Sequence, residues 1–373
     1  VHFAKFFQCK ECGLTYELDE VLNRCRVCDG SLDILLDYEK IKKEIRREFF
    51  AKKIWHWKYW MFYPVSVENK ITLNEGGTPL VKSEHFGKAF DELHFKLESL
   101  NPTGSFKDRG STIEITRALE LNIDKICCAS TGNMGASVSA YCAKAGIECT
   151  IFLPKNTSKQ KIKQIKVYGA EIVKVRGSFT SALKTCEKFS ESKNVYMVGD
   201  FPFRGEGEKS IGFEVADQLN FNPPDWIVCP MGNGTLIYSI YDAFRDFWKV
   251  GLISKIPKLC GVQSSGCDPI VRAFEKNLDY IPGIRKSKTL ASAIDVPNPI
   301  DGIKALEAIR RTRGFACRIP DKEIIKMQKE LTIREGIFAE LAGVISVAAA
   351  MKFKEELKGR VVCIISGAGW KDF

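Results

Sequence analysis

The run Asn101-Pro102-Thr103-Gly104-Ser105-Phe106-Lys107-Asp108-Arg109 sets one lysine at the junction between a turn and a helix. His94-Phe95-Lys96-Leu97-Glu98 alternates like a strand, Asn101, Pro102 and Gly104 break it, and helix-period residues begin at Phe106. Lys107 therefore falls in the first helical turn. Unpaired backbone N–H groups and the positive end of the dipole there are expected to lower an amine's pKa and to favour an anion nearby. A lysine so placed can form a Schiff base with the aldehyde of pyridoxal phosphate. A helix-start lysine is more often just a solvated surface residue, so this reading requires corroboration elsewhere in the chain.

Three loops supply it. Ser130-Thr131-Gly132-Asn133 follows the strand-like run Lys125-Ile126-Cys127-Cys128-Ala129 and opens a helix, so its amides and hydroxyls can approach an anion. Gly232-Asn233-Gly234-Thr235 follows Trp226-Ile227-Val228-Cys229-Pro230, and its glycines allow the backbone to curl round a phosphate. Ser366-Gly367-Ala368-Gly369 follows Val361-Val362-Cys363-Ile364-Ile365. None matches the phosphate loop of nucleotide hydrolases or the dinucleotide fingerprint. Each alone is an ordinary strand-to-helix turn. Their weight comes from being three, beside one helix-start lysine.

The elements that must position these loops read as alternating strands and helices. Cys149-Thr150-Ile151-Phe152-Leu153, Glu171-Ile172-Val173-Lys174-Val175 and Lys258-Leu259-Cys260-Gly261-Val262 join the strands named above, with helical patterns between them. Continuous apolar strands with helical crossovers predict α/β architecture with mostly parallel, doubly covered sheets, whose ligands bind beyond the strands' carboxyl ends. Ahead of this body, Cys9-Lys10-Glu11-Cys12 and Cys25-Arg26-Val27-Cys28 have the spacing of a zinc ribbon. Four thiolates fill tetrahedral zinc and leave no open position, so the site at Cys9, Cys12, Cys25 and Cys28 is expected to be structural; an iron centre or two bare thiol pairs are the alternatives. A unit this small needs its metal to be stable. The expected organisation is a ribbon over residues 1–36, a helical and aromatic arm over 37–70, and a catalytic domain over 71–373. The arm holds the charged pattern Glu39 to Arg47 and the cluster Trp55-His56-Trp57-Lys58-Tyr59-Trp60, expected to pack its rings on the body.

The 373 residues are 45% hydrophobic, enough for a large core, and Lys+Arg of 56 against Asp+Glu of 46 gives +10. That mild excess suits a small anionic substrate and falls short of a nucleic-acid footprint. No apolar run is long enough to span a bilayer, and no signal-like segment opens the chain, so no membrane partner and a cytoplasmic location are expected. Because the chain begins at Val1 rather than Met, residues ahead of it are expected. Fourteen cysteines, several within apolar runs, fit a reducing compartment. His2, His56, His85 and His94 fall outside the loops and read as structural or surface residues, and Cys267 as a bystander thiol.

From Cys9 to Asp372 the sequence resembles the threonine synthase branch of the fold-type II pyridoxal phosphate enzymes. Glu75-Gly76-Gly77-Thr78-Pro79-Leu80 is similar to that family's EGNTPL, NPTGSFKDRG stands letter for letter, Ser130 to Asn133 matches STGN, Phe201 to Gly207 resembles NPFRLEG, and Ser366 to Asp372 resembles TGNGLKD. The ribbon and Trp57-Lys58-Tyr59 also occur in this branch. The resemblance implies a two-lobed, tryptophan synthase beta-like fold with a smaller lobe at about 111–200 that closes over substrate, and a homodimer. It implies that Lys107 holds the cofactor and relays protons, Asn133 meets the ring hydroxyl, Gly232, Asn233, Gly234 and Thr235 cradle the phosphate, and Ser366 faces the ring nitrogen. Ser130 and Thr131 would receive the substrate carboxylate, and Lys161 and Arg204 the substrate phosphate. The reaction implied is O-phosphohomoserine plus water to threonine plus phosphate.

Departures fall where specificity is set. The family's Asn-Ser pair upstream of Arg204 is Val198-Gly199 here, EPASAAS is Glu340-Leu341-Ala342-Gly343-Val344-Ile345-Ser346, and Ser366 replaces a threonine. These keep open a β-replacement on O-phosphoserine or serine, as in cysteine or cysteate synthases. A different class, a nucleic-acid-binding ribbon on a vestigial body, is the remaining alternative.

Overall fold

The computed structural model describes residues 2–45, 49–50 and 52–372. Its first unit is an antiparallel sheet in the order β2-β1-β3, with β1 at Ala4–Cys9, β2 at Thr15–Tyr16 and β3 at Leu32–Leu36. Alternate residues Leu32, Ile34 and Leu36 turn inward and are buried, as a period of two demands. The unit is fastened to the body: Phe7 meets the ring of Phe203 edge-on at 5.9 Å, and Lys304 Nζ donates to Asp33 at 2.9 Å and to the Leu32 carbonyl at 3.1 Å.

The arm begins with a helix, Tyr38–Glu44, whose Asp37 side chain caps the N–H of Lys40. Arg46 and Arg47, the end of the charged pattern, lie outside the described residues. A 3-10 helix over His56–Phe62 then turns its aromatics inward. Tyr59 and Phe62 lie 5.3 and 4.9 Å from Phe213, which stacks on Phe247 at 4.5 Å. Lys58, the basic residue interleaved among them, is buried and paired with Asp217. The segment turns these rings and this charge onto the body.

The body starts a large sheet with β4 at Leu80–Lys82 and β5 at Glu92–Leu97. The chain then leaves it to build a smaller parallel sheet from β6 at Lys125–Ala129, β7 at Glu148–Pro154, β8 at Glu171–Val175 and β9 at Tyr196–Val198, ordered β8-β7-β6-β9. It returns with β10 at Trp226–Pro230, β11 at Lys258–Ser264, β12 at Phe315–Ile319 and β13 at Arg360–Ile365, so that the large sheet runs β12-β11-β10-β13-β5-β4. Every pairing in it is parallel except β4 with β5. Apolar clusters cover both faces of each sheet, which is why a central strand such as β10 reads as an unbroken apolar run. The runs at 171–175 and 226–230 coincide with strands residue for residue. Glu98, expected at the end of a strand, instead begins a 3-10 turn, because its carboxylate is drawn inward to Arg109. No helix among the described residues is long and apolar enough to cross a membrane.

Candidate active site

Four strands deliver the site from their carboxyl ends. β5 leads to Lys107, β6 to Ser130, β10 to Gly232 and β13 to Ser366. The lysine loop is tied to the last of these: Phe106 N–H donates to the Ser366 carbonyl at 3.0 Å, and Ala368 N–H to the Gly104 carbonyl at 2.9 Å. Asp108 braces the same turn, accepting from the Thr103 N–H at 2.7 Å and the Thr103 hydroxyl at 2.6 Å. A cavity opens between the sheets, and Lys107, Ser130, Thr131, Asn133, the four residues 232–235 and Ser366 all line it. Of the residues expected at the site, Lys161 and Arg204 are absent from that wall.

Lys107 begins the helix Lys107–Glu120, as its sequence requires, but its ammonium is not governed by the helix dipole. Nζ lies 3.1 Å from Asp200 Oδ1 and 3.2 Å from Glu208 Oε1. Burial pushes the amine's pKa down, yet Asp200 and Glu208 outweigh burial, so the net shift is upward. The expected lowering is thus reversed by two carboxylates that local sequence does not reveal. Burial pushes Glu208 itself up to about 7, against the pull of Lys107 and Arg204. Of the three, Glu208 is the group brought near neutrality, while Lys107 is favoured as the ammonium and Asp200 as the carboxylate.

Ser130 spends its hydroxyl on the loop, accepting from the N–H groups of Gly132 and Gly135 at 2.8 Å each, which leaves Thr131 the freer of the two. Asn133 donates its side-chain amide to both oxygens of Glu340, while its own Oδ1 is buried without a partner. In the glycine loop, among the described residues, nothing accepts from the backbone N–H groups of 232–235, while Asp301 holds the loop from behind through Thr235 Oγ1 at 2.7 Å. Gly234 sits at φ +98, and a Cβ there would stand 2.7 Å from the Asp301 carbonyl. Free donors at the start of a helix, on a loop with no room for a side chain, make an anion cradle.

Lys161 stands behind the Ser130 loop, with Nζ 3.1 Å from Ser292 Oγ and 3.3 Å from Asp372 Oδ1. Arg204 lies on the far side of Lys107. Its Nη1 donates to the Lys107 carbonyl at 3.1 Å, Nε to the Gly199 carbonyl at 3.2 Å, and Nη2 to Ser111 and Glu114. A guanidinium so committed positions the lysine's backbone, and in this arrangement does not face the cavity. The reason is Glu114, a buried carboxylate from the next turns of the same helix, which needs a counter-charge.

Outside the cavity wall, Cys9, Cys12, Cys25 and Cys28 bring their sulfurs within 4.8 Å of one another. That is a set of four soft ligands able to hold a metal.

A family model described as pyridoxal-phosphate dependent enzyme matches residues 71–367, from just ahead of β4 to the Ser366 loop. The chain belongs to this family. The cavity fits such a cofactor: a cradle of free N–H groups for a phosphate, a lysine at its wall and an unpartnered amide oxygen beside it. Among curated relatives, the chain is 42% identical to threonine synthase of Methanocaldococcus jannaschii, over 98% of this chain and 92% of that one. It is 41% identical to threonine synthase of Methanosarcina acetivorans over the same shares. Among solved structures it resembles a pyridoxal 5'-phosphate-dependent aspartate racemase, with a TM-score of 0.71, 24% identity and coverage of 82% of this chain and 96% of that one. This last likeness shows the fold, a two-sheet pyridoxal phosphate enzyme.

Sequence reasoning missed Asp200, Glu208 and Glu340, all of which touch the groups it did find. Asp200 adjoins the Val198-Gly199 departure and Glu340 opens the altered EPASAAS segment, so both lay in stretches already marked as unusual. Glu208 had no signal.

Proposed function

We propose that this enzyme is a threonine synthase, converting O-phospho-L-homoserine and water to L-threonine and phosphate. The observation that carries the reading is the similarity to threonine synthases across 98% of the chain, so that ribbon, arm and body are matched together. Pyridoxal phosphate, when bound, supplies an electron-withdrawing ring that stabilises negative charge on carbons near the substrate amine. The chain's own residues do the rest. Gly232, Asn233, Gly234 and Thr235 would hold the cofactor phosphate, Asn133 would meet the ring hydroxyl and Ser366 the ring nitrogen.

Lys107 anchors the cofactor and then, as a free amine, takes a proton from the substrate's α-carbon and helps move one at the β-carbon. To act as a base it must first shed a proton. Glu208, raised to about 7, is within reach to receive it, 3.2 Å from Nζ. Thr131, with Ser130, takes the substrate carboxylate at the start of the helix Asn133–Ala145. Lys161 exchanges Ser292 and Asp372 for the substrate phosphate, and Arg204 supports from behind Lys107. The lobe at about 111–200 closes to keep stray water out.

Holoenzyme given O-phosphohomoserine should release phosphate and form threonine in equal amounts. No turnover, or a sulfur amino acid formed from O-phosphoserine in its place, overturns the reading.

For the ribbon we propose zinc, held by Cys9, Cys12, Cys25 and Cys28 with no catalytic part. Metal analysis should return one zinc for each chain. Stripping it should loosen residues 1–36 first, read as loss of amide protection in β1 and β3, while a metal-free chain with unchanged protection counts against the site.

A further inference from the structure

Glu340 has no role in the reading above, although it lines the cofactor cavity and is 1% exposed. Both of its carboxylate oxygens accept from the Asn133 amide, at 3.0 and 2.8 Å, and Oε1 also takes the Ser366 hydroxyl at 3.4 Å. A carboxylate can only accept. The Asn133 amide must therefore turn its NH₂ toward Glu340 and its oxygen away. That oxygen is buried, meets no donor, and belongs to a residue of the cavity wall. An acceptor buried without a donor is destabilising, and a ligand's donor restores what is lost. The seat is shaped for the carboxylate, since any Cβ at residue 367 would overlap it.

We propose that Glu340 is a positioning residue that fixes the polarity of the contact between Asn133 and the cofactor ring: the amide offers its oxygen, so the ring hydroxyl must donate. This rests on the proposed placement of Asn133 at the ring hydroxyl. Without Glu340 the amide is free to turn and offer its NH₂ instead, which favours an ionised ring oxygen. The two orientations select different proton arrangements on the ring, and these absorb light differently. Burial pushes the Glu340 pKa up and Asp372 adds to that, so the net shift is upward against Lys161, Asn133 and Lys371. What holds Glu340 as an acceptor is its set of donors, the Asn133 NH₂ on both oxygens and the Ser366 hydroxyl on one.

The test compares wild type, Glu340→Gln, Asn133→Ala and the double variant, each reconstituted with pyridoxal 5'-phosphate. Gln offers one acceptor and one donor where Glu offers two acceptors. Glu340→Gln is expected to change the ratio of the cofactor's absorption bands at fixed pH and to weaken cofactor binding roughly tenfold. On the Asn133→Ala background it should add no further band change, because the two residues act as one unit. A wild-type spectrum in Glu340→Gln, or band changes that simply add in the double variant, overturns the proposal. If Asn133→Ala itself leaves the bands unchanged, the placement of Asn133 fails and the proposal with it, while the assigned reaction is judged separately by the threonine assay. Should Glu340→Gln not fold, Asn133→Asp tests the contact from the other side. Two facing carboxylates must share a proton, and the pH midpoint of the band change should rise by roughly one unit or more; an unmoved midpoint overturns the proposal.

Discussion

Lys107→Ala is expected to lose the cofactor's covalent attachment outright and to lower threonine formation by roughly 10³-fold or more, the scale of a lost general base combined with a lost anchor. Borohydride reduction followed by peptide mass analysis checks the first point: label should sit on Lys107 in wild type and on no lysine in the variant. Label on another lysine in wild type would refute the assignment. A second consequence follows from Asp200 and Glu208. In wild type, burial raises the Asp200 pKa, but Lys107 and Arg204 outweigh burial and the net shift is downward. A depressed carboxylate contributes stability above its unfolded pKa, and that stability is lost as pH falls. Removing the ammonium leaves Asp200 and Glu208 buried with Arg204 as their nearest cation, so the Asp200 pKa moves up. The sign then reverses: the variant without cofactor should lose stability as pH rises from about 4 toward neutrality, a slope the wild type lacks at this residue. Thermal melts of the two apoproteins across that range check it.

The same three residues mark how far the sequence could be read. Lys107 was legible because its turn, its helix and its fellow loops are written in adjacent residues. The strands were legible because central, doubly covered parallel strands are apolar throughout, as β10 is, while the edge strand β8 keeps an apolar run broken only by exposed Glu171 and Lys174. What was not legible is charge that arrives from a distance. Asp200 and Glu208 reach Lys107 across 93 and 101 positions, and no local pattern announces them. Helix-start electrostatics therefore gave the wrong sign for the lysine. Arg204 sits away from the cavity for a related reason: the residues around it resemble the family's motif, but Glu114, 90 positions away and buried, claims the guanidinium. The zinc-ribbon spacing, by contrast, did bring four sulfurs together, because two short knuckles on one hairpin-like frame leave them little choice. Local geometry is encoded locally, whereas the protonation state of a buried group depends on every element packed against it.

Arg109 offers the largest expected effect on stability. It is fully buried, and its fork is divided between two carboxylates: Nε and Nη2 donate to Glu98 at 2.6 and 2.7 Å, and Nη1 and Nη2 to Glu214 at 2.7 and 2.9 Å. Thr78 and Ser210 complete its shell at 3.1 and 3.0 Å. One side chain thus joins the Glu75–Leu80 segment, the exit of β5 and the helix Ser210–Gln218, two residues along from Lys107. Arg109→Ala leaves Glu98 and Glu214 facing each other with Lys96 alone, 2.7 Å from Glu214, as counter-charge. Breaking a buried pair of this kind costs about 3–5 kcal/mol. Arg109→Lys keeps the charge but not a fork that spans two carboxylates, so it should fall between alanine and wild type. The pH response separates this account from simple loss of packing. Burial raises the Glu214 pKa, but Arg109 and Lys96 outweigh burial and hold it well below the usual range, so wild type gains stability above about pH 4.5 from this group and loses it on acidification. In Arg109→Ala the Glu214 pKa moves back up and that contribution disappears. The difference in unfolding free energy between wild type and variant should then be large at neutral pH and narrow as the pH falls through 4.5. A difference that stays constant with pH would mean that Arg109 stabilises the fold by its bulk and not by its charge.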